Sequence, residues 1–257
     1  MGITKEDIEL SQKLFPSTGI RSKIEKIPFA GKLISKFFKL PNPYFHPKKA
    51  PERIAYDTII KDTLKKNPKA KILNIGSQSK RKPNFIYLDI VNSGNVDIIA
   101  DAAYMSIRDN TVDLIINIAV LEHVKEPSKV ASECFRILKP GGKIFVSAPF
   151  HHMFHTDPTD IQRYTHIGLA NLFKSLRCEE CNIELGPANA MTLMVREFLA
   201  ILFSFNSKML YDFFQIIFGY ITYPIKFLDY FLVKSKFAFI IAASVYFVGV
   251  KNSHKKY

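Results

Sequence analysis

Short, almost uninterrupted apolar runs recur between residues 70 and 150, and they constrain the fold more than any other feature of this sequence. The runs are KILNI, NFIYLDI, VDIIA, VDLIINI and KIFVSA, each of which has the length of a single β-strand. Continuous apolar runs are typical of parallel strands that are covered on both faces. They predict a mostly parallel sheet rather than a half-exposed antiparallel one.

A helical segment lies between the last two of these runs. Pro127 suits a first helical turn, and Val130, Cys134 and Leu138 recur at i, i+4 and i+8. Pro140-Gly141-Gly142 is expected to stop this helix and turn the chain into the next strand. Strands that alternate with helices predict a doubly wound α/β fold.

Two regions outside the alternation are rich in apolar residues. Residues 191–236 are dense in Phe, Tyr, Ile and Leu, but charged residues and a proline interrupt every run before it reaches the length of a membrane span. We predict four parts: a basic amphipathic helical extension over 1–50, a core over 51–190, an apolar helical insertion or lid over 191–236, and a closing strand with a basic tail over 237–257.

The charge and cysteine content limit the setting of the protein. Lys and Arg total 36 against 23 Asp and Glu, a net charge of +13, which attracts nucleic acid, anionic lipid or phosphorylated substrates. Three cysteines cannot all pair, and the first ten residues carry charges where a signal peptide would be apolar. Cys178 and Cys181 form a lone CxxC without the context of a zinc or redox site. These features predict a cytoplasmic protein, with attachment at the inner membrane surface left open.

Acidic residues close two consecutive strands of the predicted sheet. Asp89 ends the second run and Asp101 follows the third, after a glycine turn at Gly76. Ligands of open α/β sheets bind outside the carboxyl ends of the strands, where such carboxylates accept hydrogen bonds from a ribose diol and an adenine amino group. The segment between Gly76 and Asp89 contains Lys80-Arg81-Lys82-Pro83 and leaves little room for a full helix. The pattern therefore favours a nucleoside ligand without a diphosphate.

Five segments together resemble a known family: LNIGSQSK, FIYLDI, VDIIADA, VDLIINIAVLEHVKEP and RILKPGGKIFVSAP. They are similar to the class I S-adenosylmethionine-dependent methyltransferases, in particular the small-molecule group with an LEHV segment and an LKPGG turn. The resemblance implies the Rossmann-like methyltransferase fold and S-adenosylmethionine as cofactor. It implies the following cofactor-binding residues: Asn74, Gly76 and Ser77 at the methionine part, Asp89 with Ile90 at the ribose, Asp101 and Ala102 at the adenine, Asn117 under the sulfonium, and Leu121. The sequence departs from the family at Gln78, which replaces its second glycine.

The acceptor side is predicted after the fifth strand, in PFHHMFHTDPTDIQRYT. A hydroxyl acceptor must lose its proton, and a histidine near its ordinary pKa suits that task, so His155 is the predicted general base. Asp157 and Asp160 complete the predicted catalytic set, with Asp160 and Arg163 as an alternative local ion pair and Thr165 as a helix cap. A metal site from His151, His155 and Asp157 has no confirming context, and no metal is predicted.

These features predict methyl transfer to a small-molecule, glycan or lipid-linked acceptor. Two alternatives stay open: a nucleic-acid methyltransferase, and a non-catalytic membrane-surface protein that retains the fold. No RNA-binding module is visible, so no nucleic-acid partner is predicted. Lysines interleave with apolar residues over 21–40, so this stretch and 191–236 either contact an anionic membrane surface or pack together as a lid over the acceptor. The acceptor and the oligomeric state stay undetermined.

Overall fold

The computed structural model describes residues 51–76, 81–92, 94–155 and 159–252. The predicted N-terminal extension lies outside these ranges, as do the predicted site residues Ser77 and Asp157 and the substituted position Gln78.

Seven strands form one sheet in the order β3-β2-β1-β4-β5-β7-β6. Neighbours from β3 to β5 are parallel, whereas β7 runs antiparallel to both β5 and β6. The strands are β1 (Ile72–Ile75), β2 (Phe85–Asp89), β3 (Ile98–Ile99), β4 (Val112–Ile118), β5 (Leu138–Pro149), β6 (Arg177–Leu185) and β7 (Ser244–Val250). The predicted doubly wound, mostly parallel fold is confirmed. Because β1 lies between β2 and β4, the chain order reverses there, and ligands bind at such a point.

Helices cover the faces of the sheet and fill the interval before the last strand. The α-helices are α1 (Pro51–Lys66), α2 (Pro127–Ile137), α3 (His166–Leu172), α4 (Pro187–Ser204), α5 (Lys208–Thr222) and α6 (Asp229–Leu232), and short 3-10 helices span Leu121–His123, Tyr223–Leu228 and Ala238–Ile240. In the described part of the chain, no helix combines the length and apolar character that a bilayer crossing requires.

The Pro-Gly-Gly stretch differs from the prediction. Helix α2 ends at Ile137, and Leu138 already belongs to β5, where it pairs with Val112. Gly141 has a φ of +78°. Its nitrogen donates a hydrogen bond to Lys251 O, and Lys251 N donates one to Gly142 O. The stretch is thus a distortion within β5 rather than a turn before it, because tertiary strand pairing outweighs the local turn preference.

Buried residues alternate between the two faces of the sheet. Leu73 and Ile115 point into one apolar layer, whereas Ile72, Leu114 and Phe145 point into the other. This alternation follows from the period of two along a strand. It explains why the runs read as continuously apolar in the sequence.

A buried carboxylate fixes the start of α4. Asp229 accepts hydrogen bonds from the backbone nitrogens of Ala188 (2.8 Å) and Asn189 (2.9 Å) and from Asn189 Nδ2 (2.6 Å). A Cβ at Gly186 would lie 2.4 Å from Asp229 Oδ1, so the close approach requires glycine. The carboxylate satisfies donors that the first turn of a helix leaves unpaired.

Candidate active site

The glycine turn after β1 packs against the end of β4. Gly76 has a φ of +71°, and a Cβ there would lie 2.3 Å from Val120 Cγ2. Its nitrogen donates to Leu88 O on β2 at 2.8 Å. The position therefore requires glycine both for its backbone conformation and for its close contact with Val120.

The two predicted acids lie at neighbouring strand ends. Asp89 is the last residue of β2, and its Oδ1 accepts from Val91 N at 3.0 Å. Asp101 follows β3, and its Oδ1 accepts from Ala103 N at 2.8 Å. Within the described ranges neither Oδ2 atom accepts a hydrogen bond, so each carboxylate has an oxygen for a ligand. Ile90 is exposed beside Asp89, and Ala102 is buried beside Asp101.

Two buried asparagines lie on the central strands, Asn74 on β1 and Asn117 on β4, and Asn117 is the register partner of Ile75. Asn117 is fully buried, yet neither its Oδ1 nor its Nδ2 has a hydrogen-bond partner among the described residues. Such orphaned polar atoms are costly unless a ligand or water satisfies them. Leu121 lies fully buried in the apolar core next to this point.

The segment after β5 folds around an ion pair. Asp160 pairs with Arg163, as predicted, and its Oδ2 also accepts from His155 N at 3.0 Å. Although burial opposes ionisation, the hydrogen bonds from Arg163 and His155 hold the pKa of Asp160 below its usual range. The predicted cap is also confirmed, since Thr165 accepts from Gly168 N at 3.0 Å at the start of α3. Asp160 therefore orients the loop that carries His155.

Sequence reasoning missed two residues of this site, Glu122 and His123, which lie on the 3-10 helix after β4. His123 Nε2 lies 3.3 Å from His155 Nε2, and the two rings meet edge to face. Glu122 is almost fully buried, and burial raises the pKa of its carboxyl to about 7. The LEHV segment was the available signal, but apart from Leu121 its residues served only to mark the family resemblance. His151, by contrast, contacts Ile240 O at 3.2 Å, away from this pair.

Comparison with known proteins identifies the sheet region. Residues 68–146 match a family profile described as a methyltransferase domain. This segment is similar to a methyltransferase domain. The matched residues include the glycine turn, both acidic strand ends, Asn117 and the LEHV segment. The match supports the predicted enzyme class and S-adenosylmethionine as its cofactor.

Individual relatives resemble parts of the chain. A protein of Mycolicibacterium smegmatis, named as a probable S-adenosylmethionine-dependent methyltransferase, is 43% identical over 47 residues, 18% of this chain and 18% of that protein. A ubiquinone biosynthesis O-methyltransferase of Nitrosococcus oceani is 51% identical over 40 residues, 16% of this chain and 17% of that protein. A solved methyltransferase of Archaeoglobus fulgidus is 16% identical, with 76% of this chain and 94% of that chain covered at a TM-score of 0.42. The two sequence matches span less than a fifth of each relative.

The strand ends of the methyltransferase domain fit this cofactor. Asp89 and Asp101 each offer a carboxylate oxygen toward hydroxyl or amino donors, and Asn117 offers both a donor and an acceptor without a described partner. Gly76 adds a backbone that can approach a ligand closely. Together these hydrogen-bond acceptors and donors are of the kinds that the ribose, adenine and methionine groups of S-adenosylmethionine require.

Proposed function

We propose that this protein transfers a methyl group from S-adenosylmethionine to a small-molecule, glycan or lipid-linked acceptor that is partly apolar. One observation carries the proposal. The region similar to a methyltransferase domain has polar side-chain atoms at its strand ends that can bind a ligand, and the pair of His123 and His155 lies on the proposed acceptor side. In the role we assign, Asn74, Gly76, Ser77 and Asn117 hold the methionine part. Asp89 with Ile90, and Asp101 with Ala102, hold the nucleoside.

The acceptor binds over the histidine pair. When bound, S-adenosylmethionine supplies an electrophilic methyl group on a sulfonium. The contribution of the chain is to position the acceptor, exclude water and receive the acceptor's proton. His155 receives that proton, and Asp160 holds the His155 loop in place through its backbone contact and through Arg163.

Replacing Asp89 with alanine is expected to weaken binding of S-adenosylmethionine about tenfold or more, a loss of about 1–3 kcal/mol. The reason is that donor groups of the ribose would lose their acceptor. Isothermal titration of the purified protein measures the change. Asp57→Ala, which removes an exposed carboxylate from α1, is the control and should bind as the wild type does. Unchanged affinity in Asp89→Ala would contradict the ribose contact.

The acceptor can be found by incubating the protein with labelled S-adenosylmethionine and extracts of lipids and sugars. We expect label in a product with an apolar portion. No labelled product from any extract, with cofactor binding intact, would contradict this acceptor class.

The helical region before β7 supports an apolar acceptor at a membrane surface. It exposes large apolar side chains from α4, α5 and α6, and such extended exposure is unusual for a monomer in water. Exposed lysines lie in the same region, at Lys208, Lys234 and Lys236. Lysines beside apolar side chains favour a surface of anionic lipid. Its exposed apolar residues include Phe198, Ile201, Phe205, Met209, Ile221 and Phe231.

We expect the protein to cosediment with anionic vesicles and to be released at high salt, because salt screens headgroup attraction. The double variant Phe205→Asp with Phe231→Asp should bind less, since both side chains are about three-quarters exposed, at 79% and 75%. Ile167→Asp, at a 69% exposed position on α3, is the matched control and should bind as the wild type does. Equal recovery in the supernatant with and without vesicles would contradict membrane contact and favour a lid.

A further inference from the structure

The histidine pair has the spacing of two ligands on one metal ion. His123 Nε2 and His155 Nε2 lie 3.3 Å apart. Two nitrogen ligands of one tetrahedral zinc ion, each at about 2.0–2.1 Å, lie about 3.3 Å apart. A hydrogen bond between the rings would also allow this separation, so the protonation of the other ring nitrogens decides between the two.

Both Nδ1 atoms face oxygen atoms that can only accept. His123 Nδ1 contacts the backbone oxygen of Thr159. His155 Nδ1 lies 3.3 Å from Met153 O and 3.3 Å from Asp160 Oδ2. Each Nδ1 therefore carries a proton, and in neutral rings each Nε2 then presents a lone pair. Two lone pairs that face each other repel unless a cation or a shared proton lies between them.

A buried carboxylate adjoins the same point. Glu122 Oε1 lies 3.9 Å from His123 Nε2, and the ligand atoms of Glu122, His123 and His155 all lie within 4.8 Å of one another. Glu122 Oε2 is buried and has no hydrogen-bond partner among the described residues. Burying such a carboxylate is costly unless a cation or a proton compensates it. The carboxylate and the two imidazoles thus supply one negative charge and three ligand atoms.

We propose that Glu122, His123 and His155 bind a divalent cation of the zinc class. Two imidazoles and one carboxylate are a common three-ligand set for catalytic zinc, which keeps a further position for water or substrate. The side chain of His155 is 36% exposed, so a ligand from solvent can reach the cluster. The contacts of both Nδ1 atoms with backbone or carboxylate oxygens are those that orient metal-bound histidines.

This inference rests on the proposed function for the acceptor only. With the cation bound, the two Nε2 atoms would hold the cation, the acceptor oxygen would coordinate it, and the acceptor's proton would leave to solvent water instead of to His155. A bound cation of this class lowers the pKa of a coordinated hydroxyl or water.

The test is titration of metal-stripped protein with cobalt(II), followed by displacement with zinc(II). We expect one equivalent of cobalt to give the visible absorption of a four- or five-coordinate ion, and zinc to remove it. His123→Ala and Glu122→Gln should each weaken cobalt affinity by about 100-fold or more. Loss of a residue that only orients a ligand weakens metal affinity by about 10- to 100-fold, so loss of a direct ligand should cost at least the upper value. His151→Ala, an adjacent histidine outside the cluster, should bind cobalt as the wild type does.

Folding of each variant is checked by circular dichroism and by S-adenosylmethionine titration of the same samples. The metal site would be overturned if the wild-type protein bound the cofactor but bound cobalt and zinc no more tightly than His123→Ala does. His123 and His155 would then be a pair that shares a proton. Wild-type protein that binds cobalt as expected but not the cofactor would overturn the proposed function and leave the metal site.

Discussion

Replacing His155 with alanine is expected to lower turnover by about two to four orders of magnitude while the affinity for S-adenosylmethionine stays unchanged. The side chain contacts His123 and lies on the proposed acceptor side, whereas the groups proposed to bind the cofactor lie at the ends of β1, β2, β3 and β4. Its loss removes the nitrogen that serves the acceptor oxygen, either as proton acceptor or as cation ligand. Turnover is measured with labelled cofactor and the acceptor identified from the extracts.

Two comparisons make this experiment decisive. His151→Ala removes a neighbouring histidine that contacts Ile240 instead of the pair, and it should keep most of the activity. Added zinc should raise the rate of metal-stripped wild-type protein if the histidines act through a cation, and should have no effect if His155 acts alone. Near-normal turnover of His155→Ala would contradict a direct role of His155 in the reaction. The chain would then contribute only by positioning the acceptor against the cofactor.

Replacing Asp229 with alanine is expected to lower the free energy of unfolding by about 3 kcal/mol, because it removes the acceptor of three hydrogen bonds from buried donors of Ala188 and Asn189. The donors lie at the first turn of α4, so the helical region before β7 should open first. Urea unfolding followed by circular dichroism measures the loss.

The control for this stability prediction is Asp212→Ala. Asp212 pairs with Lys208 one turn away on α5, in a partly exposed pair, and its removal should change stability by about 0.5 kcal/mol or less. Equal midpoints for Asp229→Ala and Asp212→Ala would contradict the role of Asp229 as the buried cap of α4.

The sequence by itself determined the features that depend on neighbours along the chain. The apolar runs predict the parallel strands because burial on both faces removes polar residues from a strand. Asp89 at the end of β2, the cap at Thr165 and the ion pair of Asp160 with Arg163 are confirmed because each needs only a strand end or a spacing of three residues. Local rules failed at Leu138, which was predicted to continue the helix but pairs with Val112 as the first residue of β5.

Only the tertiary structure decided which distant residues meet. His123 and His155 are 32 positions apart and become neighbours because parallel β4 and β5 bring the segments after them to the same edge of the sheet. Asp229 reaches Ala188 across 41 positions, and no local period predicts such a contact. The polar atoms of Asn117 have no hydrogen-bond partner in the described part of the chain for the same reason: the neighbours that bury them come from other strands. Strand order and packing set these contacts, because they depend on the energy of the whole arrangement rather than on the preference of any one segment.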